Sequence, residues 1–305
     1  MSTGPSNLAI SAAVRDALRD GAPVVALEST IFTHGLPRPR NVEVALKAED
    51  DLRAAGVVPA TIGVLAGVPT VGLSADEIRA LAADDDVIKV SLRDLPIAVA
   101  QRRSGGTTVA GTAFLAAKAG IAVFATGGLG GVHRGASETF DESADLPVLA
   151  NTPILMVSAG VKSILDVGAS LERLETLSIT LVGYRTTRFP GFYLADSGFA
   201  LDYSVDGAEE AAALVRARDT LGVPGAILVA NPVPAEHQLD PAEHDRVLEQ
   251  ALAAMDAAGI GGHDATPYLL DQVQKATGGR SLDVNVAVYE NNVRLAGEIA
   301  TALAG

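Results

Sequence analysis

Short, strongly apolar runs rich in β-branched residues recur along the chain, separated by longer stretches whose apolar positions return every three to four residues. The runs Pro23–Leu27, Thr61–Leu65, Val87–Val90, Ala122–Ala125, Ile154–Ser158, Ile179–Gly183 and Ala226–Ala230 read as strands. Several have no polar face, which suits strands covered on both sides by helices. Between them, Asn41–Ala55 places Val42, Ala45, Leu46 and Leu52 on one stripe and meets a stop at Gly56. Helical patterns also cover Ala75–Ala83, Ala110–Ala119, Gly207–Leu221, Pro241–Ala258 and Thr266–Thr277. A long one runs over Ser281–Leu303 from a serine cap. The alternation predicts an α/β fold, a layered α/β/α arrangement around a central, largely parallel or mixed sheet. Without an internal repeat, a low-complexity linker or a break in composition, a single domain is expected over residues 22–305. An N-terminal helical extension is expected over residues 1–21.

Composition narrows the function classes. A chain of 305 residues can bury a sizeable core. Its net charge of -14 and the absence of any Lys/Arg-rich block argue against a polymeric nucleic acid as partner. An anionic small molecule must then be held by a local arrangement. No cysteine is present, which removes disulfides, thiolate metal sites and cysteine nucleophiles. Met1 to Asp20 lacks the basic-then-apolar pattern of a signal peptide, and no apolar run reaches the roughly 18 residues of a membrane span. A cytoplasmic protein without a membrane partner is expected.

The lysines are few, only Lys47, Lys89, Lys118, Lys162 and Lys275 among 23 basic residues, and two of them interrupt apolar runs. Lys89 sits in Val87-Ile-Lys-Val90, and Lys162 follows Ile154-Leu-Met-Val-Ser-Ala-Gly-Val161. A desolvated ammonium loses its proton more readily, so each reads as a nucleophile or proton carrier, or else as a strand-end lysine reaching for water. Glycines cluster in Gly127-Gly-Leu-Gly-Gly-Val-His133-Arg134-Gly135, which is neither a dinucleotide fingerprint nor a P-loop. Bare backbone beside His133 and Arg134 suits a phosphate, with Gly105-Gly-Thr-Thr108 before the next helix as a second N–H-rich mouth; the alternative is a plain glycine turn. The acidic run Asp141-Glu-Ser-Ala-Asp145 implies either a hydrated Mg²⁺ or Mn²⁺ or a helix N-cap cluster. Glu28 ends an apolar strand as a candidate acid, or as a turn residue. Asn285, Tyr289 and Asn292 share a helix face, either solvent-facing or a surface for a planar amide-like ring. His237, His244 and His263 have no metal spacing and are expected on the surface.

These segments together resemble the pseudouridine-5'-phosphate glycosidase family. The likeness is carried by Val25-Ala-Leu-Glu28-Ser-Thr30, Lys89-Val-Ser-Leu-Arg-Asp-Leu-Pro96, Gly127 to Ala136, Thr139-Phe-Asp-Glu-Ser-Ala-Asp-Leu146 and Ala159-Gly-Val-Lys-Ser-Ile-Leu-Asp166. It continues through Val229-Ala-Asn-Pro-Val-Pro234, Thr266-Pro-Tyr-Leu-Leu270 and Gly278-Gly-Arg-Ser-Leu282, so it spans the chain from about Ala22 onward. Leu92, where a basic residue is expected, departs from the pattern without touching a chemical position.

The resemblance implies reversible cleavage of a carbon–carbon glycosidic bond, yielding uracil and ribose 5-phosphate, by a lyase-type homotrimer that requires a divalent metal, typically Mn²⁺. It implies Lys162 as the Schiff-base nucleophile, Glu28 as the proton donor and Lys89 as a lysine that contacts substrate and handles protons. It also implies Asp141 as the metal ligand, with Val109 and Ser143, Ala144 and Asp145 as substrate-binding positions. His133 falls in the phosphate region and Asn285 faces the base. In this reading Lys89 keeps Lys162 partly neutral by like-charge repulsion. Two rivals stay open at this stage: a Schiff-base phosphosugar aldolase acting through Lys162, and a non-catalytic sugar-phosphate sensor.

Overall fold

The computed structural model describes residues 8–260 and 265–305, so His263 lies outside the described residues. The strands are β1 (Ala9–Ile10), β2 (Val24–Leu27), β3 (Val58–Leu65), β4 (Val68–Val71), β5 (Ile88–Val90), β6 (Gly105–Thr107), β7 (Val123–Ala125), β8 (Leu155–Ser158), β9 (Thr180–Tyr184), β10 (Ser204–Val205) and β11 (Ile227–Ala230). They form one sheet in the order β1-β4-β3-β2-β7-β8-β11-β9-β10, with β6 attached to β3 and β5 attached to β6. From β3 through β2, β7, β8 and β11 to β10 every pairing is parallel; β4 and β6 join β3 antiparallel.

Alternation along the central strands divides the interior into two layers. Val24 and Ala26 of β2, Phe124 of β7 and Met156 of β8 enter one core. Val25, Leu27, Val123, Ala125, Leu155 and Val157 point the other way into the second. The eleven-residue helix α5 (Val109–Ala119), the fifth in the chain, covers the first face with Val109, Ala113 and Ala116; the last helix, α12 (Arg280–Ala304), covers the second with Val293, Ala296 and Ile299. Two covered faces explain why β2, β8 and β11 lack a polar side. The α/β/α arrangement with a mixed, largely parallel sheet is the one expected.

Every expected strand is present. Four were missed, for physical reasons. Two-residue β1 and β10 are too short to show a period. Strand β4 carries Pro69, which argues against a strand on sequence. It is reached from β3 by Ala66-Gly67, both at positive φ, the tight hairpin turn. A Cβ on Gly67 would stand 2.7 Å from the Arg102 Cα, so only glycine fits there. Strand β6 is Gly105-Gly-Thr107, whose glycines pack against β5 and Thr33 rather than forming an open mouth. At the N-terminal side, β1 pairs with β4, and the helix Ala12–Arg19 buries Val14 and Ala17 in the first core.

Candidate active site

The candidate residues converge at the carboxyl ends of the parallel strands, where open α/β sheets build ligand sites. Glu28 follows β2 and is buried; its two carboxylate oxygens accept hydrogen bonds from the Thr30 and Thr126 hydroxyls, which fix its orientation. Lys162 follows β8 and is half-buried. Its N–H donates to the Leu129 carbonyl at 3.2 Å, and Val161 bridges Leu129, so the lysine is mounted directly on the glycine-rich loop. The mount requires Gly160, at φ +79°, where a Cβ would meet the Pro190 carbonyl oxygen at 2.7 Å.

Lys89 stands in the middle of β5, at the edge of the sheet. Its apolar neighbours suggested burial, but the residue is exposed. Enough protein surrounds its ammonium for desolvation to lower its pKa, with the nearby charge of Lys162 acting in the same direction; Asp145 and Glu28 oppose both effects. Lys89 is therefore within electrostatic reach of Lys162, Glu28 and Asp145. Sequence reading missed one neighbour, His34. The turn Ile31–Gly35 carries it beside Lys89, and its pKa is lowered by desolvation first and by the Lys89 charge second, against a hydrogen bond with the Val87 backbone. Thr33 Oγ1 lies 2.7 Å from its Nδ1. No periodicity or spacing marks this histidine in the sequence.

The glycine loop and the start of α5 do face each other, and an internal carboxylate already joins them. Asp145 is buried and accepts from the N–H of Ala110 at 2.9 Å with one oxygen and from that of Gly130 at 2.9 Å with the other. The anion at this helix N-terminus is the chain's own. Val109 is buried at the first turn of α5. The segment from Asp141 to Asp145 runs beside the loop: Ser143 N–H donates to the Gly131 carbonyl, and His133 N–H to the Asp141 carbonyl, each at 3.0 Å. Ser143 is half-buried, and Ala144 is exposed between it and Asp145. Glu142 turns away to pair with Arg173 at 2.8 Å. His133 Nδ1 lies 3.8 Å from an Asp141 oxygen. Among the described residues no three acidic or imidazole side chains converge on a point. Asp141 thus fits only an ion that retains most of its waters.

The polar face of α12 neither points to solvent nor acts as one surface. Asn292 is fully buried and donates to the Thr126 carbonyl at 2.7 Å and the Gly127 carbonyl at 3.2 Å, while its own oxygen accepts from Asn231 at 2.9 Å. Tyr289 is buried, and burial raises its pKa, helped by the charges of Glu28 and Glu49. Asn285 is half-buried, its oxygen 3.4 Å from where a Gly127 Cβ would stand, so it alone of the three faces the loop from the open side. His237 is exposed as expected; His244 is not, with only 7% of its surface accessible. A cavity of about 1360 Å³ lies between Lys47, Arg216 and Arg294, with His237 on its wall.

Comparison with known proteins places this geometry in context. The profile of the family described as Indigoidine synthase A like protein matches residues 13–302. A pseudouridine-5'-phosphate glycosidase of Saccharopolyspora erythraea is 66% identical over 296 residues, covering 97% of this chain and 98% of that protein. Another from Frankia alni is 59% identical over 301 residues, covering 99% and 83%. Among solved structures, the prealnumycin C-glycosynthase AlnA in complex with ribulose 5-phosphate superposes with a TM-score of 0.91 at 36% identity, covering 97% of both chains. An indigoidine synthase A (IdgA)-like protein from Thermotoga maritima gives 0.90 at 37% identity over the whole of both chains.

Proposed function

The chain belongs to the indigoidine synthase A-like family and, within it, to the pseudouridine-5'-phosphate glycosidases, and on that premise we propose that it cleaves pseudouridine 5'-phosphate to uracil and ribose 5-phosphate through a covalent adduct on Lys162. The observation that carries this reading is the meeting of Lys162, Lys89 and Glu28 at one end of the sheet, with Asn285 beside the glycine loop. A structural neighbour that binds a pentose 5-phosphate supports the sugar half of the substrate.

A C-glycoside has no heteroatom leaving group, so the two-carboxylate route of ordinary glycosidases does not apply. In the proposed sequence, Glu28 protonates the ring oxygen as the bond between C1′ and that oxygen opens, and the Lys162 amine adds to C1′. The bond from C1′ to uracil C5 then breaks, its electron pair passing to the base, which takes a proton at C5. The lysine nitrogen closes an imine with C1′, and water hydrolyses it to free Lys162 and ribose 5-phosphate. Lys89, its pKa lowered by desolvation and by Lys162, is the proton carrier of the set. Asn285 presents donor and acceptor to the edge of the base. His133, Ser143, Ala144, Asp145 and Val109 shape the sugar-phosphate side, Asp145 by holding the loop and α5 together. A divalent ion, Mn²⁺ or Mg²⁺, is proposed only as a hydrated partner of Asp141 that would supply positive charge to phosphate oxygens. The lyase assignment and the homotrimer are proposals of the same standing. Chromatography of protein incubated with pseudouridine 5'-phosphate tests the reaction. Uracil and ribose 5-phosphate appearing together support it, and their absence with folded protein overturns it.

A further inference from the structure

Exposure rises outward from the reaction centre: Glu28 is buried, Lys162 half-buried, and Lys89 and His34 exposed. Lys89 is within electrostatic reach of Lys162, Glu28 and Asp145, whereas Lys89 is the charge that reaches His34. Lys89 therefore stands between the reacting lysine and a histidine that meets solvent.

Packing fixes that neighbourhood. Gly106 of β6 is the register partner of Lys89 of β5. A Cβ on Gly106 would collide with Thr33 Oγ1, so the turn Ile31–Gly35 seats against the strand only because that position is glycine. The Thr33 hydroxyl donates to the Ser29 carbonyl at 2.9 Å and lies 2.7 Å from His34 Nδ1, and the Val87 backbone, just before β5, bonds the ring as well. A firmly seated turn thus carries an exposed imidazole to the side of an exposed ammonium. The other charges around the turn are engaged elsewhere or face solvent. Arg38 pairs with Asp85, Arg40 with Asp283 and Asp76 with Arg79, Glu77 caps its helix at Ser74, and Glu43 is exposed.

We propose that His34 is the solvent-side proton acceptor for Lys89, the outer end of a relay that runs from Lys162 through Lys89 to water. This role rests on the function proposed above, in which Lys162 must shed a proton before its amine adds to C1′. The Lys162 ammonium passes one proton to the Lys89 amine, the Lys89 ammonium passes it to a ring nitrogen of His34, and the imidazolium releases it to water; the reverse steps return a proton inward. Only N–H bonds break and form, and each transfer conserves charge. Desolvation and the Lys89 charge both lower the His34 pKa from 6.5, so the ring is neutral at neutral pH and ready to accept. Lys89, lowered as well, gives its proton up more readily, and its flexible stem lets one ammonium serve both neighbours. His34 acts through Lys89 and does not touch the substrate.

The test follows uracil release from pseudouridine 5'-phosphate by the full-length protein. His34→Ala should lower kcat about 10²-fold with KM little changed, and added imidazole should restore much of the loss. His34→Gln should show the same loss without rescue, and the acid limb of the pH–rate profile that His34 sets below 6.5 should vanish in it. Full activity in either variant overturns the relay; so does a loss in His34→Ala that imidazole leaves in place, which marks the turn as structural only. Should the variants not fold, NMR titration of the His34 ring decides: its midpoint must rise from the unsubstituted protein to Lys89→Met, and an unmoved midpoint overturns the proposal. If the unsubstituted protein releases no uracil, the glycosidase reading fails separately. The relay is then judged on the rate of borohydride-trapped adduct formation between Lys162 and ribose 5-phosphate, which needs the same deprotonated amine. Slower trapping in His34→Ala that imidazole restores supports it, and equal trapping, or none in the unsubstituted protein, overturns it.

Discussion

Removing the Asn292 side chain should destabilise the protein through the site it holds rather than through lost substrate contact. Its amide donates to the Thr126 carbonyl at 2.7 Å, and its oxygen accepts from Asn231 at 2.9 Å. The Gly127 carbonyl keeps a second donor, the Ala159 N–H at 2.9 Å. Asn292→Ala therefore leaves two buried groups unmet, at about 1–3 kcal/mol each, or roughly 2–6 kcal/mol in total. That is a large part of the roughly 5–15 kcal/mol of a typical domain. Because the Thr126 hydroxyl donates to Glu28, the turnover rate should fall as well, with KM little changed. Urea unfolding reads the stability change as a lower midpoint at constant slope. A loss below about 1 kcal/mol combined with a raised KM would show that Asn292 contacts substrate and that the clamp reasoning is wrong.

Three further substitutions separate the roles assigned around it. Asp145→Asn puts an amide NH₂ against one of two backbone donors, so it should cost about 2–4 kcal/mol and lower kcat/KM together; a stable variant with full activity would refute the bridge. For Lys89 the folded pKa lies below the ordinary value of 10.5, so between the two the unfolded chain holds more protons and stability rises with pH. Lys89→Met should remove that contribution, flattening the rise of stability as pH is raised toward 10.5 in urea unfolding; an unchanged rise contradicts the shift. Asp141→Ala should raise the Mn²⁺ concentration needed for half-maximal activity several-fold, and an unaltered titration would remove Asp141 as the ion's partner.

The central strands were legible because both sheet faces are covered, leaving apolar runs such as Ile154–Ser158 that no exposed strand would carry. What escaped the sequence lies where a third partner decides the outcome. Nothing in the pattern shows that Asp145 spans Ala110 and Gly130 rather than a cation, because the two donors come from segments distant in the chain. The three polar residues of α12 are equivalent by spacing, but their depth against the sheet differs, and depth separates a clamp, a buried tyrosine and a half-buried amide. His34 and His244 were unreadable for the same reason: a turn brings one to Lys89, and packing against Tyr193 and Asp245 buries the other.

The most direct test of the mechanism is borohydride reduction of the protein in the presence of ribose 5-phosphate, followed by mass measurement and peptide mapping. A stable adduct on Lys162, absent in Lys162→Ala and retained in Lys89→Met at reduced yield, is the expected result. An adduct that persists in Lys162→Ala, or one mapping to Lys89, would contradict the assignment of Lys162 as nucleophile.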